Sequence, residues 1–299
     1  MTHASIPVDV FNPGQVFACL GFLEAADLLL RNAVGGFDWS KESEVRFEIR
    51  AEDSRNPFEV VLDFLATAEL HRLAPEGYRD PDAREADSPI KKTEGSNSRA
   101  NSAEEVPLCT VKTFPAPEAD RLALPLRLER SGKRLDVSHW CDGSSRNSFK
   151  LYAGQQRSDE IARQMIEAIR KLRIKHGTRL ASDPFGATVP VGGSSFKFDA
   201  RKSWTSIDVG YSPDDQSHEV EASPVVEMLA AIGLEHARPE ESGKREVSYG
   251  IWGVALPLVL ARPALAGIPV CRPMRKFRFV LDLSGKNKVV KFSQEEAIA

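Results

Sequence analysis

The sequence predicts a mixed α+β fold, antiparallel sheet with helices packed on one side. Three observations carry this. Helical apolar spacing follows cap-and-proline openings at Asn12-Pro13, Asn56-Pro57 and Ser223-Pro224. Two-residue alternation marks strands at Val45–Ile49 and Lys276–Leu283, and turn residues return the chain beside them. Strand order does not follow from these patterns.

Ile6 to Phe11 reads as a short strand. Asn12 then caps a helix to about Arg31, with Gln15 placed to complete a capping box. Its apolar residues run nearly all round, which predicts a buried helix. Gly35-Gly36 closes that unit, and the strand Val45–Ile49 presents Arg46, Glu48 and Arg50 to water. A second helix is expected from Pro57 to about Arg72, with Val60, Val61, Phe64 and Leu65 inward. Residues 76–106 carry charge, Ser and Asn but almost no large apolar side chains, so they read as a flexible insert. The remainder reads as one unit, with a junction near 212–224 if it divides into two subdomains.

The densest chemistry lies in Leu135–Gly154. Leu135, Val137 and His139 alternate as a strand does, and Asp142-Gly143 signals a turn. Phe149, Leu151 and Ala153 suggest a returning strand. Ser158 then caps a helix to about Lys175, with Ile161, Met165, Ile169 and Leu172 on one face and Arg163, Arg170, Lys171, Arg173 and Lys175 on the other. Further on, Phe196 and Phe198 alternate with polar neighbours, Ser223-Pro224 opens a helix stopped by Gly233, and Lys276–Phe292 closes the chain as a hairpin.

A net charge of −3 over 299 residues argues against a general coat for nucleic acid, but the charge is segregated. Arg127 to Lys175 holds twelve basic residues against six acidic, and Arg272 to Lys291 holds seven against one. The cysteines are scattered at 19, 109, 141 and 271, without a CxxC pair, which points to a reducing, cytoplasmic compartment. The most apolar run, Val16–Leu30, is broken by Glu24 and Asp27, so no membrane span is expected.

Candidate chemistry narrows on binding. Asp214, Asp215, His218 and Glu219 form the one compact carboxylate–imidazole group; they suit a divalent metal, and a solvated turn accounts for them as well. His139 and Cys141 have no second ligand pair at zinc spacing, and Gly143–Lys150 lacks the second glycine of a phosphate loop. No cofactor is expected. Trp140, Tyr152 and Trp204 can stack bases, with Arg146, Lys150, Arg201 and Lys202 on phosphates, Arg170 and Lys171 on the adjoining helix, and Asn147 beside Arg146 at a tip able to enter a groove. A Trp taken singly is more often a core anchor, and a basic helix face is usually just solvated; clustering is what points to nucleic acid.

Four segments, FNPGQVFACLGFLEAADLLL (11–30), HWCDGSSRNSFKLYAGQQ (139–156), FKFDARKSWTSIDVGYSP (196–213) and SPVVEMLAAIGLEHARP (223–239), resemble a family encoded in type I-U (I-G) CRISPR–Cas loci, a subtype-specific, large-subunit-like component of the interference complex. Tyr152 and Tyr211 stand where other aromatics are expected. The resemblance implies a subunit without a reaction of its own, which contacts CRISPR RNA and target DNA, touches other subunits, and helps admit the helicase–nuclease. Base pairing would read the sequence while protein reads backbone shape and groove edges. The competing readings are a metal-dependent nuclease using Asp214, Asp215 and His218, and an accessory protein that contacts other subunits alone.

Overall fold

Helix α1 (Pro13–Leu29) runs through the core, buried on nearly every side as its all-round apolar sequence predicts. In this computed structural model, residues 1–41, 43–81, 105–141, 149–152, 154–190, 195–202, 220–243, 245–284 and 287–296 are described. The fold is α+β. Strands β1 (Thr2–Pro7), β2 (Val34–Asp38) and β3 (Arg46–Ala51) pair antiparallel in the order β1-β3-β2. After helix α2 (Pro57–Thr67), β4 (Glu69–Pro75), β5 (Leu108–Val111), β6 (Leu126–Arg130) and β7 (Lys133–Val137) make a second sheet, ordered β5-β4-β6-β7, with β4 and β5 parallel. Helix α3 (Ser158–His176), the short ribbon of β8 (Val189–Pro190) and β9 (Glu221–Ala222), and helix α4 (Pro224–Gly233) follow. β10 (Glu240–Ser242) and β11 (Glu246–Trp252) open the last sheet, and β12 (Leu256–Pro257) pairs back onto β2. Helix α5 (Leu258–Leu265) leads to β13 (Met274–Ser284), which pairs with β11, β14 (Asn287–Val290) and β15 (Gln294–Glu295).

The apolar faces predicted for α3 and β3 are the buried ones: Ile161, Met165, Ile169 and Leu172 in the helix, Phe47 and Ile49 in the strand. Ser223 caps α4 as expected, its hydroxyl accepting from Val226 N. Among the described residues no helix is long and apolar enough to cross a membrane.

Glycine sets how closely α1 and α4 cross. A Cβ at Gly21 would overlap the Leu229 carbonyl oxygen, and one at Gly233 would overlap that of Phe17. Gly21→Ala must therefore push the helices apart, and we expect a loss on the order of 2–3 kcal/mol. An unshifted denaturation midpoint in that variant would contradict so close a crossing.

Several local expectations give way to pairing that is distant in sequence. The strand expected at Ile6–Phe11 is Thr2–Pro7. Gly35 and Gly36 lie inside β2 and do not end a unit; Trp252 Nε1 donates to Gly35 O at 2.8 Å. α2 stops at Thr67, short of Arg72, because the following residues are drawn into β4 by pairing with β6. The hairpin partner of β7 is β6, preceding it, and residues 149–152 form no returning strand, although Phe149 and Leu151 are buried. Phe196 and Phe198 lie in a loop. Asn12 makes no side-chain cap, and Gln15 Oε1 accepts from Asp9 N, four residues before the helix. Arg157 stands in the cap position of α3, while Ser158 Oγ donates to Leu124 O at 2.8 Å. Both feet of the insert are held by the buried Arg72, which pairs with Asp80 at 2.8 Å and donates from Nε to Val106 O at 2.9 Å.

Candidate functional site

Of the residues expected to stack bases, Trp140 and Tyr152 are core residues. Trp140 is 1% exposed and Tyr152 5%. The Trp140 ring stacks on Phe196 at 5.0 Å, meets Tyr152 edge-on at 6.1 Å, and donates from Nε1 to Leu124 O at 3.3 Å. Neither ring offers a face to an incoming base. Apolar burial of the whole cluster with Phe196 and Phe198 outweighs surface display. Beside them His139 is held neutral, its pKa pushed down to about 3 by burial and then by the Arg238 charge. Lys150 is also largely buried, 3.8 Å from Asp120 and 5.5 Å from the Tyr152 ring centroid. The tip residues Arg146 and Asn147, and likewise Trp204, Tyr211, Asp214, Asp215, His218 and Glu219, lie outside the described residues.

Much of the basic face of α3 is spent inside the molecule. Arg170 donates to Ala66 O and Ala68 O, carbonyls at the C-terminal end of α2, at 2.6 and 3.3 Å. Arg173 bridges Asp63 and Glu59 of α2 at 2.7 and 2.9 Å. Lys171 pairs with Glu167 on its own exposed face at 2.9 Å. Past these, Lys175 and Arg179 are exposed and make no ion pair with a described residue, and Ile174, next to Lys175, is 85% exposed. Four cations of the basic run near the C-terminus are paired across strands: Arg275 with Glu295, Lys276 with Glu240, Arg278 with Glu246 and Lys291 with Asp282. Counting charge along the chain missed these partners because pairing in the sheet brings them together.

Arg201 stands at the edge of a buried polar knot. Asp199, fully buried, accepts from Arg201 Nε and Nη2 at 2.9 and 2.6 Å, from Asn12 Nδ2 at 2.9 Å and from Ser223 N at 2.9 Å. Asn12 Oδ1 in turn accepts from Ala200 N. Glu227, also fully buried, accepts from Lys197 N at 2.7 Å and Asp199 N at 2.9 Å. Lys197 is held at a φ of +65°, a left-handed conformation rare for a residue with a side chain. Lys202 is half-buried nearby, its charge favouring ionised Glu227.

The two carboxyls are driven in opposite directions. Burial raises the Glu227 pKa to about 7, with a further push from the Asp199 charge; the backbone donors and Lys202 oppose it. Burial also opposes ionisation of Asp199, but Arg201, Ser223 N and Asn12 outweigh it and hold the carboxyl below its usual range. Split carboxyls of this kind serve acid–base chemistry when a substrate can reach them. Here backbone and side-chain donors occupy both groups and neither is exposed, so the arrangement fastens residues 197–201 to the first turns of α1 and α4. Sequence reasoning found Arg201 but missed its role. The available signal was polarity in apolar windows: Asn12 before a buried helix and Glu227 inside Pro224–Gly233.

Among the described residues no group of three or more His, Cys, Asp or Glu is placed to hold a metal ion. Comparison with protein-family models, with curated proteins and with solved structures found no match to this chain.

Proposed function

We propose that this protein is a non-catalytic subunit of a cytoplasmic CRISPR RNA-guided DNA-targeting complex, contacting guide RNA or target DNA and helping to recruit the helicase–nuclease. One observation carries the reading: the four segments that resemble the CRISPR–Cas family converge on one interior. Asn12 and Phe17 come from the first, Phe149, Trp140 and Tyr152 from the second, Phe196 and Asp199 from the third, Ser223 and Glu227 from the fourth. Residues of one shared architecture are expected to sit together in this way, whatever the surface binds. It also moves the candidate contacts from the buried rings to exposed cations at the end of α3, namely Lys171, Lys175 and Arg179.

Phosphate binding there has a measurable signature. Reversing all three charges in the assembled complex is expected to weaken target binding. The slope of log K against log salt should fall by about 0.9 for each duplex phosphate that the variant no longer neutralises. Affinity and slope both unchanged would remove this surface from the nucleic-acid interface.

A further inference from the structure

A cleft of about 440 Å³ opens where the chain leaves β1, between Pro7–Phe11, the approach to β3 and Asp183–Gly186. Its polar lining is unbalanced. Asp9, Glu44 and Asp183 face Arg201, whose charge is already matched by Asp199 behind it. Glu44 pairs with Arg46 at 3.0 Å, but Asp9 and Asp183 have no ion-pair partner among the described residues. Each uses Oδ1 to accept a backbone N–H, from Phe11 and Gly186 respectively.

Two further features point to an occupant. Gln15 lines the cleft and is 6% exposed; its Oε1 is taken by Asp9 N, while its amide nitrogen has no partner among the described residues. Phe11, in the same wall, is 43% exposed, with an edge-on contact to Phe277 at 5.5 Å. An electronegative cleft with an open ring, a donor in its wall and no uncompensated cation repels phosphate and suits a positive group.

We infer that this cleft docks a basic side chain carried by a protein partner. Arginine fits better than lysine, because a planar guanidinium stacks on a ring while bonding carboxylates in its plane. The carbonyl of the docked segment accepts from Gln15. This inference concerns a protein contact and stands or falls separately from the nucleic-acid reading.

The test uses the purified full chain and three probes followed by ligand-observed NMR: acetyl-Gly-Arg-Gly-amide, the same peptide with neutral citrulline for Arg, and a decathymidylate. The arginine peptide is expected to bind saturably, and both the citrulline peptide and the Asp9→Asn/Asp183→Asn variant to weaken binding by about five- to tenfold. Those substitutions keep both Oδ1 acceptors. If they nevertheless unfold the protein, Phe11→Leu supplies the test through a loss of about threefold from the missing ring. Equal binding of the two peptides, unchanged affinity in the folded variants, or displacement by the decathymidylate would each overturn the proposal.

Discussion

Trp140→Ala is expected to cost about 3–5 kcal/mol of stability, the range for truncating a large buried aromatic. The indole is wedged among His139, Tyr152 and Phe196, and its N–H is engaged with Leu124 O. Removing it leaves a cavity, while Leu124 O keeps its bond from Ser158 Oγ. A stacking residue at a nucleic-acid surface behaves differently: its alanine variant keeps its melting temperature and loses binding, by about 1–3 kcal/mol per base. Thermal or denaturant unfolding of the isolated protein therefore separates the roles. A variant with unchanged stability would return Trp140 to the surface and undo the core described above.

Glu227→Gln is expected to change how stability depends on pH. The native carboxyl titrates at about 7, against an ordinary value of 4.5 in the unfolded chain. Between those values the native state holds the proton more tightly, so raising the pH favours unfolding. The stabilising contribution of this group is complete below about pH 4.5 and is lost as pH rises through 7, a change of roughly 3 kcal/mol. Asp199 works in the opposite sense, contributing above its unfolded value and losing that contribution in acid. Glutamine does not titrate, so the difference between wild type and variant should shrink by roughly 3 kcal/mol from pH 4.5 to 7.5. Parallel profiles would show that Glu227 is solvated or already ionised. At pH 5, Glu227→Ala should be destabilised by at least about 2 kcal/mol, since Lys197 N and Asp199 N both lose their acceptor.

Much of the fold is legible where local chemistry decides it. The proline-opened helices at Pro13, Pro57 and Pro224 begin where the sequence places them, and α3 buries the stripe its 3.6-residue period marks. The closing hairpin is legible because its two strands are near neighbours in the chain, Ser284 pairing with Asn287. Illegible features depend on distant partners. Nothing local tells Glu69–Pro75 to leave a helix; β6 does so from more than fifty residues away. Asn12 looks like a cap but bonds Asp199, 187 positions on. Aromatic and basic residues at 139–152 advertise a binding surface by composition, yet composition does not say which way a side chain points. Packing against Phe196 turns Trp140 and Tyr152 inward. Similarly, the field of Arg275, Lys276 and Arg278 is reduced once Glu295, Glu240 and Glu246 lie across from them.

The most direct measurement of the functional reading is the composition of the assembly this chain enters. The protein should be co-expressed with the guide-RNA-binding subunits and a CRISPR RNA, purified under native conditions, and exposed to ultraviolet light to crosslink protein to RNA and target DNA. The account predicts that it travels with the RNA-bearing complex and crosslinks through the exposed α3 end. A chain that stays apart from that complex, or that by itself degrades nucleic acid with added magnesium or manganese, would contradict it.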